Sequence, residues 1–138
     1  VPVPEASLAG IAAAGALEQV WRLPLPLPRN VGWPIVAAGA GVIAGSLKAA
    51  GTNELATPER LVTAGPYAWT RNPMYVGWGL LQLGIGVIAG SGWVLVSMPL
   101  VGAVVHREVL REERRLEERF GNEYRRYSVK VGRYFPQR

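Results

Sequence analysis

Apolar residues arrive along this chain in blocks separated by short polar or proline-marked breaks, and four such blocks stand out. Ala6–Val20 is Ala-rich and closes at Trp21-Arg22. Val31–Leu47 runs 17 residues with no charge, near the lower limit for crossing a bilayer as a helix. Met74–Gly90 is of similar length. Ser91-Gly92 then makes a tight turn into Trp93–Val105, a shorter run containing Pro99. Between the first two blocks lies a Leu-Pro repeat, Leu23–Pro28, too proline-rich for a helix and suited to a connector at the membrane surface. Blocks of this length predict an all-α integral membrane bundle of about four transmembrane helices. The last block is expected to continue as a helix through Arg107–Phe120 into water, so its apolar part need not span alone.

The polar stretch Leu61–Trp78, LVTAGPYAWTRNPMYVGW, is the exception to this pattern. It is an aromatic, Gly/Pro-marked loop that runs straight into the third block. Asn72-Pro73 is a helix start, with Asn as the cap and Pro at the first helical position, where a missing N–H matters least. The free N–H groups and positive dipole end that follow favour a carboxylate or phosphate, and Arg71 adds a charge beside them. The same residues also fit a capped membrane helix with Arg71 reaching to headgroups. Tyr67, Trp69, Tyr75 and Trp78 fit either a site or an interfacial aromatic belt.

The C-terminal segment supplies a second face. Val105, Val109, Leu116 and Phe120 recur at helical spacing and define an inward stripe. Glu113 and Glu112 flank that stripe, and His106 lies two turns before Glu113 on the same side. Arg107, Arg111, Arg114 and Arg115 are expected to point away. A carboxylate facing inward near a membrane is costly unless paired, which makes it a site candidate or half of a salt bridge. A glutamate pair for an ammonium and a helix start for a carboxylate could together hold a zwitterionic amino acid. Within the spans, Gly41 with Gly45, Gly77 with Gly84, and Gly86 with Gly90 are expected to pack helices closely.

Length and charge narrow the picture. The 138 residues allow a single domain, 1–138. No cysteine is present, which excludes disulfides, thiolate metal ligands and a cysteine nucleophile. The net charge of +5 does not indicate nucleic acid, because ten of the fifteen Lys/Arg lie after His106, interleaved with six acids. A helix facing anionic lipid explains that distribution more simply. Lys48, Arg60, Arg71 and the C-terminal segment fall on one side of the membrane, with Arg22 and Arg29 opposite. That bias places the central loop and C-terminus in the cytoplasm. The absence of a basic region in residues 1–20 argues for a native first helix rather than a signal peptide.

The two stretches together, LVTAGPYAWTRNPMYVGW followed by REERRLEERFGNEYRRY, resemble the isoprenylcysteine carboxyl methyltransferase family over roughly residues 52–136. The elements are LVT-x-G-x-Y, R-N-P-x-Y-x-G, E-E-x-x-L and F-G-x-E-Y-x-x-Y, in order. The resemblance implies a small integral membrane enzyme that uses S-adenosylmethionine to methylate a lipophilic or lipidated acceptor, with the site drawn mainly from 52–78 and 106–127. It implies that Leu61 and Val62, with Tyr67, line the cofactor pocket, and that Arg71, Asn72, Pro73, Met74 and Tyr75 embrace the cofactor from the helix start. Glu112 and Glu113 fall on a paired-glutamate motif that holds the cofactor or orients the substrate, with His106 nearby. Arg107 lies near an arginine expected to meet a substrate carboxylate, and Thr52 near a polar contact at the cytosolic mouth. Asn72 stands where the eukaryotic enzymes have histidine. An amide can still cap and donate, but it cannot do the work of an imidazole. A carboxylate acceptor needs no nucleophilic Ser or Cys, metal or base. An amine or thiol acceptor would be helped by a base, either His106 or a glutamate. A phospholipid amine or a small thiol as acceptor, a membrane reductase and a non-catalytic scaffold of the same fold remain the alternatives.

Overall fold

The computed structural model describes residues 5–51 and 60–135, and among them every regular element is helical. Five helices follow in order: α1 Glu5–Val20, α2 Gly32–Ala50, α3 Pro73–Ala89, α4 Gly92–Phe120 and α5 Asn122–Lys130. Single 3-10 turns, Arg29–Val31 and Gly65–Ala68, lead into α2 and interrupt the central loop. The helix starting at Arg29 and ending at Ala50, and α4, are long and apolar enough to cross a membrane, while α3 is a shorter apolar helix of 17 residues. The architecture is the expected membrane helical bundle.

Close packing of α2 on α3 organises the bundle, and glycine makes it possible. A Cβ on Gly39 would sit 2.8 Å from the Gly77 carbonyl oxygen, and one on Gly32 would sit 2.6 Å from the Gly84 carbonyl oxygen. The relation is reciprocal. A Cβ on Gly77 or Gly84 would meet the carbonyl oxygen of Gly39 or Gly32 at 3.1 and 3.0 Å. Both pairs belong to one antiparallel register, with the backbones in near contact at two levels. The expected glycines only partly coincide with these. Gly77 and Gly84 serve as predicted, but Gly41 faces open space and Gly45 faces the Pro66 ring. Gly86 admits Val94 of α4, and Gly90 adopts φ +65 to end α3.

The turn into α4 is held from outside. The Ser91 amide closes on Gly86, and Gly90 and Gly92 pair with the Leu-Pro connector through Leu25 N–H to Gly90 O (3.0 Å) and Gly92 N–H to Leu23 O (2.7 Å). Glu18 of α1 accepts from the Ser91 hydroxyl at 3.0 Å, and the Arg29 guanidinium lies against Gly90. This end therefore carries Arg22 and Arg29, while α2 ends and α3 begins at the other. Inside the bundle, the fully buried Gln82 donates to Ser97 Oγ at 2.9 Å, linking α3 to α4. Gly10 of α1 faces Val101 and Gln82, which seats α1 along α4.

Helix α4 is continuous through Pro99, as expected, and its 29 residues give a rod of roughly 43 Å. A bilayer's hydrocarbon core is about 30 Å thick, so even a full crossing leaves roughly 13 Å of the rod, about nine residues of its charged half, projecting beyond it. Gly121, at φ +56, breaks the helix and turns the chain into α5. Tyr124, Tyr127 and Val131 then fold back onto Leu61, Leu116 and Phe120.

Candidate active site

The central loop is fixed against the end of α2. Arg60 donates to the carbonyls of Ala49 (3.3 Å) and Ala50 (3.0 Å), covering acceptors that the helix end leaves open. Val62 and Tyr67 are buried with Ala50, and Leu61 packs on the Tyr124–Tyr127 cluster. The Tyr127 hydroxyl donates to Tyr67 O at 2.6 Å, which ties the loop to α5. Pro73, Met74 and Asn72 are buried at the start of α3.

Asn72 holds the cap position of α3, but its side chain does not cap the helix. Its Nδ2 instead donates to Arg133 O at 3.0 Å, and Thr70 Oγ1 donates to the same carbonyl at 2.9 Å. The Arg71 amide donates to Gly132 O at 2.9 Å. The expected anion site beside the helix start is thus met by two carbonyls of the C-terminal tail, 131–135. These carbonyls take the donors just before the helix, the Thr70 hydroxyl, the Arg71 N–H and the Asn72 amide, rather than the first-turn N–H groups that follow Pro73.

Arg71 does not offer a free charge either. Its Nη1 lies 3.2 Å from Glu113 Oε1 and donates to the Tyr124 hydroxyl at 3.2 Å. Arg133 closes on Glu113 in a two-toothed pair, Nε–Oε1 at 2.9 Å and Nη2–Oε2 at 3.0 Å. A carboxylate this well matched is a structural anchor with little capacity for a further cation. The salt-bridge reading of Glu113 is the one the geometry displays. Arg71 Nε is buried without a partner among the described residues. Arg114, expected to face away, lines with Arg71, Glu113 and Tyr124 a polar cleft of about 370 Å³ between α4 and α5.

Glu112 is different. It accepts from the Tyr75 hydroxyl at 2.8 Å, joining the start of α3 to the charged half of α4. Burial pushes its carboxyl above the usual glutamate range, against the Tyr75 hydrogen bond and the Arg115 charge, while Glu108 adds to the rise. The Tyr67 phenol is pushed up to about 12 by burial and by the Glu112 charge, which places Tyr67 in the same neighbourhood.

His106 Nδ1 and the Tyr134 hydroxyl share a hydrogen bond of 2.9 Å, so the tail is pinned to α4 twice, there and at Glu113. Tyr134 also walls a half-open apolar groove of about 480 Å³ that reaches Gly41 and Val42 of α2 and Trp69 of the loop. Among the expected site residues, Leu61, Val62, Tyr67, Arg71–Tyr75, His106, Glu112 and Glu113 therefore belong to one connected region. Arg107 is exposed on α4, and Thr52 lies outside the described residues. Tyr124 and Tyr127 belong to the F-G-x-E-Y-x-x-Y element within 106–127 but were given no role of their own, and Arg133 and Tyr134 were not foreseen. The i, i+3 spacing of the two α5 tyrosines was the available signal, since it puts both on one helix face.

The profile of the phospholipid methyltransferase family matches residues 29–123. The chain belongs to that family. The family's members are methyltransferases, and membership implies methyl transfer to a lipid-like substrate by a membrane protein. The matched segment runs from the turn before α2 through Glu123, so it contains both halves of the Tyr75–Glu112 link but not the tail carbonyls on Asn72. No curated protein matches the chain.

Proposed function

We propose that the protein transfers the methyl group of S-adenosylmethionine to a lipid-borne acceptor, first among them the carboxylate of a prenylated cysteine. The observation that carries this reading is the Tyr75–Glu112 contact, 2.8 Å between the two motif halves. It leaves a half-buried carboxylate bonded to a neutral hydroxyl rather than neutralised by an arginine, as Glu113 is. Such a group suits a cationic ligand, and the buried Tyr67, whose phenol feels the Glu112 charge, offers an aromatic wall, so the residues fit the cofactor. When bound, S-adenosylmethionine supplies an electrophilic methyl on a sulfonium, and its displacement leaves a neutral thioether.

The protein's contribution is positioning and electrostatics. Tyr75 fixes the Glu112 carboxylate, and Glu112 draws a positive charge to the start of α3. Val62, Met74 and Tyr67 exclude water around it. Attack by a carboxylate on a sulfonium cancels two charges, and a poorly hydrated setting favours that cancellation because the separated ions lose more solvation than the products. Arg107, exposed one residue beyond His106, is the cation on offer to an acceptor carboxylate. The Lys/Arg bias puts this chemistry on the cytoplasmic side.

The family's description favours a second reading, a phospholipid amine as acceptor. An ammonium must lose a proton before it can attack, and His106 with its Tyr134 contact is then the candidate base. Calorimetry on the purified protein in detergent tests the common core. Binding of S-adenosylmethionine and S-adenosylhomocysteine is expected, weakened about tenfold by Y75F or E112Q. Absence of binding to the native protein sinks the methyltransferase reading and leaves the scaffold alternative.

A further inference from the structure

The groove between α2 and the C-terminal tail has a composition that the cofactor site does not use. Ala38, Gly41 and Val42 form one wall at i, i+3, i+4 spacing on α2, and Trp69, Tyr134 and Phe135 form the other. Ala38 and Gly41 are exposed, so this face of an apolar membrane helix looks out of the bundle. Trp69 and Phe135 are 70% and 82% exposed, the size and position of side chains that sit at a bilayer interface. At its inner end the groove meets the hydroxyls of Thr70 and Tyr134, which are bonded to Arg133 O and to His106.

The geometry points to this groove as the seat of the acceptor's hydrocarbon chain, admitted sideways from the bilayer, with Gly41 as the position that gauges chain bulk. The inference rests on the methyltransferase reading above and adds to it the path and the limiting residue. One end of the groove opens on hydrocarbon and the other ends at polar groups, so a single-chain amphiphile would lie with its tail along α2 and its head toward Tyr134. The volume of about 480 Å³ lies within the range of small-molecule sites. Gly41 is the informative residue because it lines the groove, yet a Cβ there meets nothing within 4 Å. A larger side chain at 41 would enter the groove itself rather than a neighbouring helix. Gly102 of α4 is equally open and exposed, on a helix that contributes no wall to the groove, so it serves as a matched control.

The test compares the native protein, Gly41→Leu and Gly102→Leu in detergent. Methyl transfer to N-acetyl-S-prenyl-, S-geranyl- and S-farnesyl-cysteine is followed, together with short- and long-chain phosphatidylethanolamines. Gly41→Leu is expected to raise KM for the longest chain about tenfold or more relative to the shortest, while Gly102→Leu keeps the native ratio. S-adenosylhomocysteine binding, measured on the same samples, separates the two claims. If binding holds and the chain-length ratio of Gly41→Leu equals the native one, the groove assignment is overturned while the methyltransferase reading survives. A second measurement does not depend on turnover: photolysis of a diazirine-bearing farnesyl chain and of a diazirine-bearing acyl phospholipid. Labelling of peptides containing 38–42, 69 or 134–135 supports the assignment and identifies which lipid brings the chain. Labelling confined to other faces overturns it.

Discussion

Two adjacent glutamates on α4 meet opposite fates, and that contrast carries the proposed site. Glu113 is held by Arg71 and Arg133, whereas Glu112 has the Tyr75 hydroxyl and a partly buried carboxyl raised above its ordinary pKa. Because the folded protein holds the Glu112 proton more tightly than the unfolded chain does, this group's contribution to stability falls as pH rises from the ordinary glutamate range through its raised value. Cation binding runs the other way, since it needs the carboxylate. Lowering pH through the same window is therefore expected to weaken S-adenosylmethionine binding in the native protein and to leave the residual binding of E112Q flat. Titration calorimetry at a series of pH values checks both slopes, and a native profile as flat as that of E112Q would remove Glu112 from the cofactor site. The helical stripe placed both glutamates near the interior from sequence. It could not tell them apart, because the arginines that claim Glu113 come from other segments. Asn72 shows the same limit: its position at the start of α3 was legible, but the tail carbonyl that takes its amide was not.

The helices themselves were largely readable from the apolar blocks. Met74–Gly90 became Pro73–Ala89, and the continuation of the last block through Arg107–Phe120 was found as one unbroken helix. Glycine pairing was read less well, because spacing within a helix says nothing about which glycine of another helix comes opposite. Steric contact decides it. Gly39→Ala would drive a methyl toward the Gly77 carbonyl and Leu81, and a well-packed interface answers with a shift costing about 1–3 kcal/mol. Gly15→Ala in α1 meets nothing within 4 Å and is expected to be neutral or slightly stabilising. Thermal unfolding of both variants in detergent, followed by circular dichroism, should separate them. Equal midpoints would mean that α2 and α3 do not approach as closely as drawn.

At the scale of the molecule, the tail joins the membrane helices to the site. Gly132 and Arg133 offer carbonyls to the start of α3, the Arg133 side chain binds Glu113, and Tyr134 reaches His106. Removing residues 131–138 should leave the helical content of the bundle nearly unchanged while lowering S-adenosylhomocysteine affinity by tenfold or more, on the order of losing several charge-assisted hydrogen bonds. Retained affinity would show that the site closes without its strap. Nothing in the composition of GRYF announced this role. Its bonds to the start of α3 run through backbone carbonyls, which every residue carries, and the partners of Arg133 and Tyr134 lie on another helix, so the local pattern of side chains could not reveal it.

The paired glycines also set rules for how such a chain can change length over time. Gly32 with Gly84 and Gly39 with Gly77 share one register, so a residue inserted between the members on either helix would turn the following face by about 100° and put a side chain against a carbonyl. Insertions and deletions are accordingly barred from the stretches 32–39 and 77–84. The segment joining α2 to α3 is under no such rule, because its two ends are already placed by the helices. Descendants of this sequence can change its length without disturbing the depth at which Tyr75 and Glu112 meet, provided Leu61, Val62, Tyr67, Arg71 and Asn72 keep their contacts.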